Sequence, residues 1–238
     1  MQARDVDYRC GEVNLRGYLA LDESTGKRPG VLVFHEGLGL GEFAMERARR
    51  LAGLGYVALA ADMFGDRRQA SNLQEVATLV GGLRAEPDKL RARGRAALDV
   101  LAALPQVDAG RLAAIGFCFG GSVVLELARE GADLKAVVSF HGVLATKMPA
   151  QPGQIKASVL VCTGVDDPLA PPEQVADFEN EMRAGGVKDW QVIAYGNTLH
   201  GFTNPAADGS MMRTAMYNEQ ADRRSWASMK SLFDEVLT

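Results

Sequence analysis

At 238 residues, 47% hydrophobic and 24% charged, the chain has material for one sizeable core, and a single α/β domain over 1–238 is expected. The net charge of −4 without a basic stripe argues against nucleic acid as a partner, and no apolar run has signal-core or membrane-spanning length, so a cytoplasmic protein that avoids membranes is expected. Three widely spaced cysteines, Cys10, Cys118 and Cys162, fit free thiols in a reducing compartment better than a disulfide framework.

In chain order, Val6 to Cys10 and Val13 to Ala20 read as a hairpin around Gly11-Glu12, followed by a polar loop from Asp22 to Pro29. Gly30 to Phe34 is wholly apolar, the pattern of a central parallel strand. A helix over Glu42 to Leu54, a strand over Val57 to Ala61 and a polar loop from Gly65 to Asn72 come next. Helical spacing runs from Leu73 to Leu83, breaks at Pro87, and resumes with Leu90, Ala97, Leu101 and Leu104 up to Pro105. Ala113 to Ile115, Ala136 to Phe140, Ser158 to Cys162 and Trp190 to Tyr195 are further strands. Helices are expected over Gly121 to Glu130, after Pro171-Pro172, and at the end of the chain, where Trp226, Met229, Phe233 and Val236 share a face. Lys147 to Ile155 and Asn204 to Met216 read as irregular. The alternation predicts one predominantly parallel, doubly wound sheet with helices on both faces.

The chemistry concentrates where the strand ending near Phe117 turns into a helix through Gly116-Phe117-Cys118-Phe119-Gly120-Gly121. A nucleophile at the tip of such a turn has strained backbone angles, and side chains two residues to either side would collide, so Gly-x-Cys-x-Gly has the spacing of a nucleophile elbow with Cys for Ser. The helix N-terminus favours a thiolate at Cys118, and the N–H of Phe119 is free for a developing oxyanion. A buried structural cysteine is the plainer reading of such a motif. What weighs against it is the chain order, because an acid and then a histidine follow, each just past a strand. They are Asp167 in Gly164-Val165-Asp166-Asp167 and His200 in His200-Gly201-Phe202. Cys118 then attacks, His200 serves as base and acid, and Asp167 orients the imidazole. The spacing from Gly164 selects Asp167 over Asp166. Cys10 and Cys162 read as small buried apolar residues.

These motifs, with the turn Gly164-x-x-Asp167-x-x-x-Pro171 and the early His35-Glu36-Gly37, resemble the dienelactone hydrolase family of α/β-hydrolases from about Val31 to the last helix. The resemblance implies the α/β-hydrolase fold and hydrolysis of carboxylic esters or lactones without a cofactor or metal. It also implies a Glu36 that touches the resting thiol and releases it when substrate arrives. A carboxylate there would disfavour the thiolate until then. Gly37 N–H, on the loop that supplies it in this fold, is the second oxyanion donor. The dienelactone-cleaving members place an Arg two residues after the Phe of His-x-Phe, whereas this chain has Asn204, so neutral esters or lactones are expected over anionic ones.

Met63, Phe64, Phe119, Phe140, His141 and Phe202 are expected to wall the pocket, since each lies at a strand end or beside a candidate residue, with Arg67 and Arg68 as possible cations at its mouth. The expected partner is a small ester or lactone, and the chain a monomer or weak homodimer. A non-catalytic ligand-binding homologue is the alternative. His35-Glu36-Gly37-Leu38-Gly39 lacks the second His of a zinc-protease helix, and Gly37-x-Gly39 followed by Glu42 lacks the third glycine of a nicotinamide-dinucleotide oxidoreductase.

Overall fold

The computed structural model describes residues 1–23 and 26–238; of the polar loop Asp22 to Pro29, Ser24 and Thr25 lie outside the described residues. Along strand β3 (Arg28–Phe34), Val31 and Val33 enter one apolar core while Leu32 and Phe34 enter another. The same two-sided alternation recurs in β5 (Val107–Phe117), β6 (Ala136–Phe140) and β7 (Ser158–Gly164), which is why these segments read as continuous apolar runs. With β1 (Gln2–Cys10), β2 (Val13–Leu21), β4 (Val57–Ala61) and β8 (Trp190–Tyr195) they form one eight-stranded sheet in the order β1-β2-β4-β3-β5-β6-β7-β8. The hairpin β1–β2 joins β4 antiparallel, and β3 to β8 are mutually parallel.

Helices α1 (Glu42–Gly53) and α6 (Glu219–Val236) cover one face, through Ala44, Ala48 and Leu51 and through Trp226, Met229 and Phe233. Helices α3 (Pro87–Ala102), α4 (Phe119–Arg129) and α5 (Pro172–Ala184) cover the other, with Leu98, Leu127 and Phe178 among their core residues. Helix α2 (Leu73–Ala85) differs, since Leu83 is its one buried residue. Its N-terminus is fixed by Asn72, whose side chain accepts the Glu75 N–H at 3.0 Å, while Glu75 accepts the Ser71 N–H at 2.8 Å. This is the α/β-hydrolase fold.

Several boundaries differ from the sequence reading for local reasons. β1 begins at Gln2 because its pairing with β2 continues past the apolar residues. β5 begins at Val107, pairing with Arg28 before a register shift that leaves residues 109–111 outside the ladder. Pro87 heads α3, where a missing N–H is harmless, rather than only breaking a helix.

Candidate active site

The parallel strands point their carboxyl ends to one edge, and the turns after β3, β5, β6, β7 and β8 carry Glu36, Cys118, His141, Asp167 and His200 there. Cys118, half-buried, sits between β5 and α4 at φ 52° and ψ −110°, a conformation side chains rarely adopt. The flanking glycines permit it. A Cβ on Gly116 would lie 2.0 Å from the Gly120 carbonyl oxygen, and one on Gly120 would lie 2.2 Å from that of Phe34. Both obstacles are backbone, so neither can rotate aside. The turn is fastened by Gly120 N–H to the His35 carbonyl at 3.0 Å and by Cys118 N–H to the Phe140 carbonyl at 3.0 Å. Phe119 opens α4, so its N–H has no intrahelical acceptor.

His200 and Asp167 are both buried and joined by a 2.8 Å hydrogen bond from Nδ1 to Oδ2. The other Asp167 oxygen accepts the Leu169 N–H at 2.8 Å, which fixes the carboxylate, while Asp166 is exposed. Gly164 lets the loop after β8 approach, since a Cβ there would stand 2.2 Å from the Thr198 carbonyl. Among the described residues, Nε2 of His200 is buried without a hydrogen-bond partner. Burial opposes a charged imidazole here, yet the charge of Cys118 and the bond to Asp167 outweigh it, and the His200 pKa is pushed up to about 10.

Glu36 does not hydrogen-bond the Cys118 thiol among the described residues; its Oε2 accepts the Asn204 Nδ2–H at 2.8 Å. Burial holds the Glu36 carboxyl above the usual range, against opposing pulls from Asn204, His200 and Arg47. His141 accepts the Cys118 N–H at Nδ1 (3.1 Å), so its proton is on Nε2, donated to Thr203 Oγ1 at 2.8 Å. Burial keeps this ring well below the usual pKa, and it stands edge-on to His200 with centroids 5.1 Å apart. Gly37 is buried beneath Val76 and Val80 of α2, with a Cβ-to-Val76 distance of 2.8 Å were it not glycine.

A model of the dienelactone hydrolase family matches residues 15–237. The chain belongs to the dienelactone hydrolase family. A solved structure named m3DLH is 48% identical over 100% of this chain and 99% of its own, with a TM-score of 0.94. A crystal structure of a dienelactone hydrolase-like promiscuous phosphotriesterase from metagenomic libraries is 46% identical over the same shares, again with a TM-score of 0.94. A protein of Salmonella typhimurium called a putative carboxymethylenebutenolidase is 30% identical over 88% of this chain and 78% of its own length. The chain is therefore of a family of hydrolases acting on small molecules.

Within this family member the expected pocket wall needs correction. Met63, Phe140, His141 and Phe202 have no exposed surface, and Phe64 only 8%, so in this conformation they form a layer beneath the site. Phe140 stacks on Phe117 at 4.8 Å in the core under α1 and α6, because strand alternation turns it away from α4. Arg67 is not at a pocket mouth. Its guanidinium pairs with Asp5 at 2.6 Å and donates to the Gly17 carbonyl at 2.8 Å, tying the hairpin to the turn after β4. That turn is organised by Asp62, whose two oxygens accept the N–H groups of Arg16, Phe64, Gly65 and Arg67. Asp62 is thus engaged within the fold. His35 is likewise structural, accepting the Met63 N–H at Nε2.

One residue escaped the sequence reading. Arg47, buried on α1, donates to the Thr203 carbonyl at 2.6 Å and pairs with Asp222 at 3.3 Å, so it braces the segment carrying His200 and Asn204. Its signal was present: Ala44, Arg47, Ala48 and Leu51 share the buried stripe of α1, and a cation there needs partners. Arg84 of α2 donates to Ser122 Oγ at 2.9 Å beside a cavity of about 240 Å³.

Proposed function

We propose that this protein hydrolyses carboxylic esters or lactones through a Cys118-His200-Asp167 triad and a covalent thioester. The observation that carries the reading is His200, bound through Nδ1 to Asp167 with a buried Nε2 left unpartnered beside the strained elbow. His200 takes the thiol proton, and the Cys118 sulfur attacks the carbonyl carbon. The N–H groups of Phe119 and Gly37 hold the oxyanion. Collapse breaks the bond to the leaving oxygen, which receives its proton from Nε2. Water, deprotonated by His200, then attacks the thioester carbon, releasing the acid and restoring the thiol. Neutral His141 donates no second charge and braces the elbow from below.

Substrates are neutral short-chain esters or lactones. Asn204 holds Glu36 where the dienelactone-cleaving relatives would carry a cation, and Arg67 is committed to Asp5. The likeness to a promiscuous phosphotriesterase adds phosphotriesters to the panel worth assaying. The test is turnover of p-nitrophenyl esters, in neutral and anionic pairs, by wild type, Cys118→Ala and His200→Ala. Each variant should lose roughly three or more orders of magnitude in kcat, with an acyl adduct on Cys118 in wild type by mass spectrometry. Full turnover by Cys118→Ala would sink the triad. Absence of turnover in wild type alongside saturable ester binding would favour a non-catalytic binder, and preference for the anionic esters would refute the neutral-substrate reading.

A further inference from the structure

Helix α2 has little to hold it down, yet one row of it reaches the site. Val76, Val80 and Arg84 lie four residues apart and therefore on one stripe. Val76 and Val80 lie over Gly37, and Arg84 donates to Ser122 Oγ at 2.9 Å. Ser122 in turn donates to the Val143 carbonyl at 2.9 Å, so the anchor point is itself fixed. Ser122 also stands four residues after Cys118 on α4, its N–H directed at the Cys118 carbonyl at 3.4 Å. Cys118 is the residue immediately before α4 and Ser122 lies in its first turn, so Arg84 is delivered to the end of α4 that carries the elbow.

The guanidinium is half-buried and has no carboxylate within ion-pair distance among the described residues. The acid nearest in the cavity it lines, Glu126, is already doubly paired, with Arg91 at 2.7 Å and Arg129 at 3.0 Å. A partly desolvated cation without a counter-ion is unfavourable unless an anion forms beside it. The group at that end of α4 that can become an anion is the Cys118 thiol.

We propose that Arg84 is a positioning residue that sustains the Cys118 thiolate, a role resting on Cys118 being the nucleophile. Burial pulls the Arg84 pKa down, and the charge at Cys118 pulls it up, in keeping with that pairing. Around the thiol the charges divide by element. Glu36 on the turn after β3 opposes the thiolate. His200 on the turn after β8 and Arg84 on α2 favour it, His141 after β6 is neutral, and Lys147 lines the far side of the Arg84 cavity. Arg84 thus supplies a positive charge that does not titrate near neutral pH, so the thiolate does not depend on His200 alone.

The experiment is the pH profile of Cys118 alkylation by iodoacetamide, a neutral reagent, followed by peptide mass spectrometry in wild type, Arg84→Met, Arg84→Lys and Ser122→Ala. Arg84→Met should slow alkylation at pH 7 on the order of tenfold. Arg84→Lys should recover most of the loss, and Ser122→Ala, which keeps the charge but frees it, should fall between. Near-UV circular dichroism checks the fold, which α2 with its single buried residue should leave intact, and Arg84→Gln repeats the test if Met is poorly tolerated. A wild-type profile in Arg84→Met or Arg84→Gln overturns the proposal. So does an unchanged profile with a raised KM for anionic esters only, which would make Arg84 a substrate-binding residue. The hydrolase reading fails separately: Cys118→Ala retaining turnover defeats it, whatever Arg84 does to the alkylation of Cys118.

Discussion

Alanine at two glycines should act with opposite sign, and the difference follows from what each Cβ would meet. At Gly120 the new methyl would stand 2.2 Å from the Phe34 carbonyl oxygen and 2.5 Å from its carbon. An ordinary contact needs about 3.4 Å or more, so the elbow or the end of β3 must shift by about 1 Å. That shift strains a packed core, costing about 1–3 kcal/mol, and stretches the Gly120 N–H bond to His35, worth about 1 kcal/mol, so Gly120→Ala should destabilise by about 2–4 kcal/mol. A displacement of that size at the nucleophile should also reduce kcat on the order of a hundredfold. At Gly81 in α2 no atom lies within 4 Å of the new Cβ and the backbone is helical. Gly81→Ala should stabilise by about 0.5–1 kcal/mol through reduced chain entropy. Urea unfolding gives both values, provided the m-value is unchanged, and ester turnover gives the second effect. If Gly120→Ala unfolds within 0.5 kcal/mol of wild type and keeps its kcat, the close approach does not set the elbow and the reasoning is refuted.

Two further predictions concern charge. Glu36→Gln keeps an acceptor for Asn204 but removes the carboxylate that opposes the thiolate, so Cys118 should react with iodoacetamide on the order of tenfold faster at pH 7; equal or slower alkylation contradicts this. The folded pKa of His200, about 10 against an ordinary 6.5, means that its contribution to stability is complete below pH 6.5 and is lost as pH rises through 10, so the stability gap between wild type and His200→Gln, read by urea titration, should narrow over that window.

Most of the fold was legible because the central strands are buried on both faces and their apolar runs are bounded by glycine and proline. The candidate triad was legible for a different reason: each member follows a strand that the pattern locates, and the glycines that let the backbones close in are local. The pocket wall was not. Whether Phe140 faces α4 or α6 depends on the register of β6 within the sheet, which a five-residue apolar strand does not encode by itself. Arg67 was misplaced because its partner, Asp5, is sixty-two residues away on the first strand. Long-range pairs of this kind leave no periodic trace.

The charges around Cys118 come from separate elements of the fold, and this limits how the thiolate can be controlled. His200 and Asp167 are buried and joined, so their contribution is fixed by the core. Glu36 is held by one neutral donor, Asn204, on a segment that Arg47 braces through the Thr203 carbonyl. A neutral donor leaves the carboxylate its charge, whereas an arginine at that place would offset it. With an amide rather than a cation bonded to it, Glu36 is the stronger opponent of a thiolate. A compensating cation has to arrive from another direction, on an element that does not share the Glu36 loop. Helix α2 supplies one, because its Val76-Val80-Arg84 row spans from Gly37 to Ser122. The Glu36–Asn204 pair and the Arg84 guanidinium, which has no carboxylate partner among the described residues, are then two sides of one charge balance.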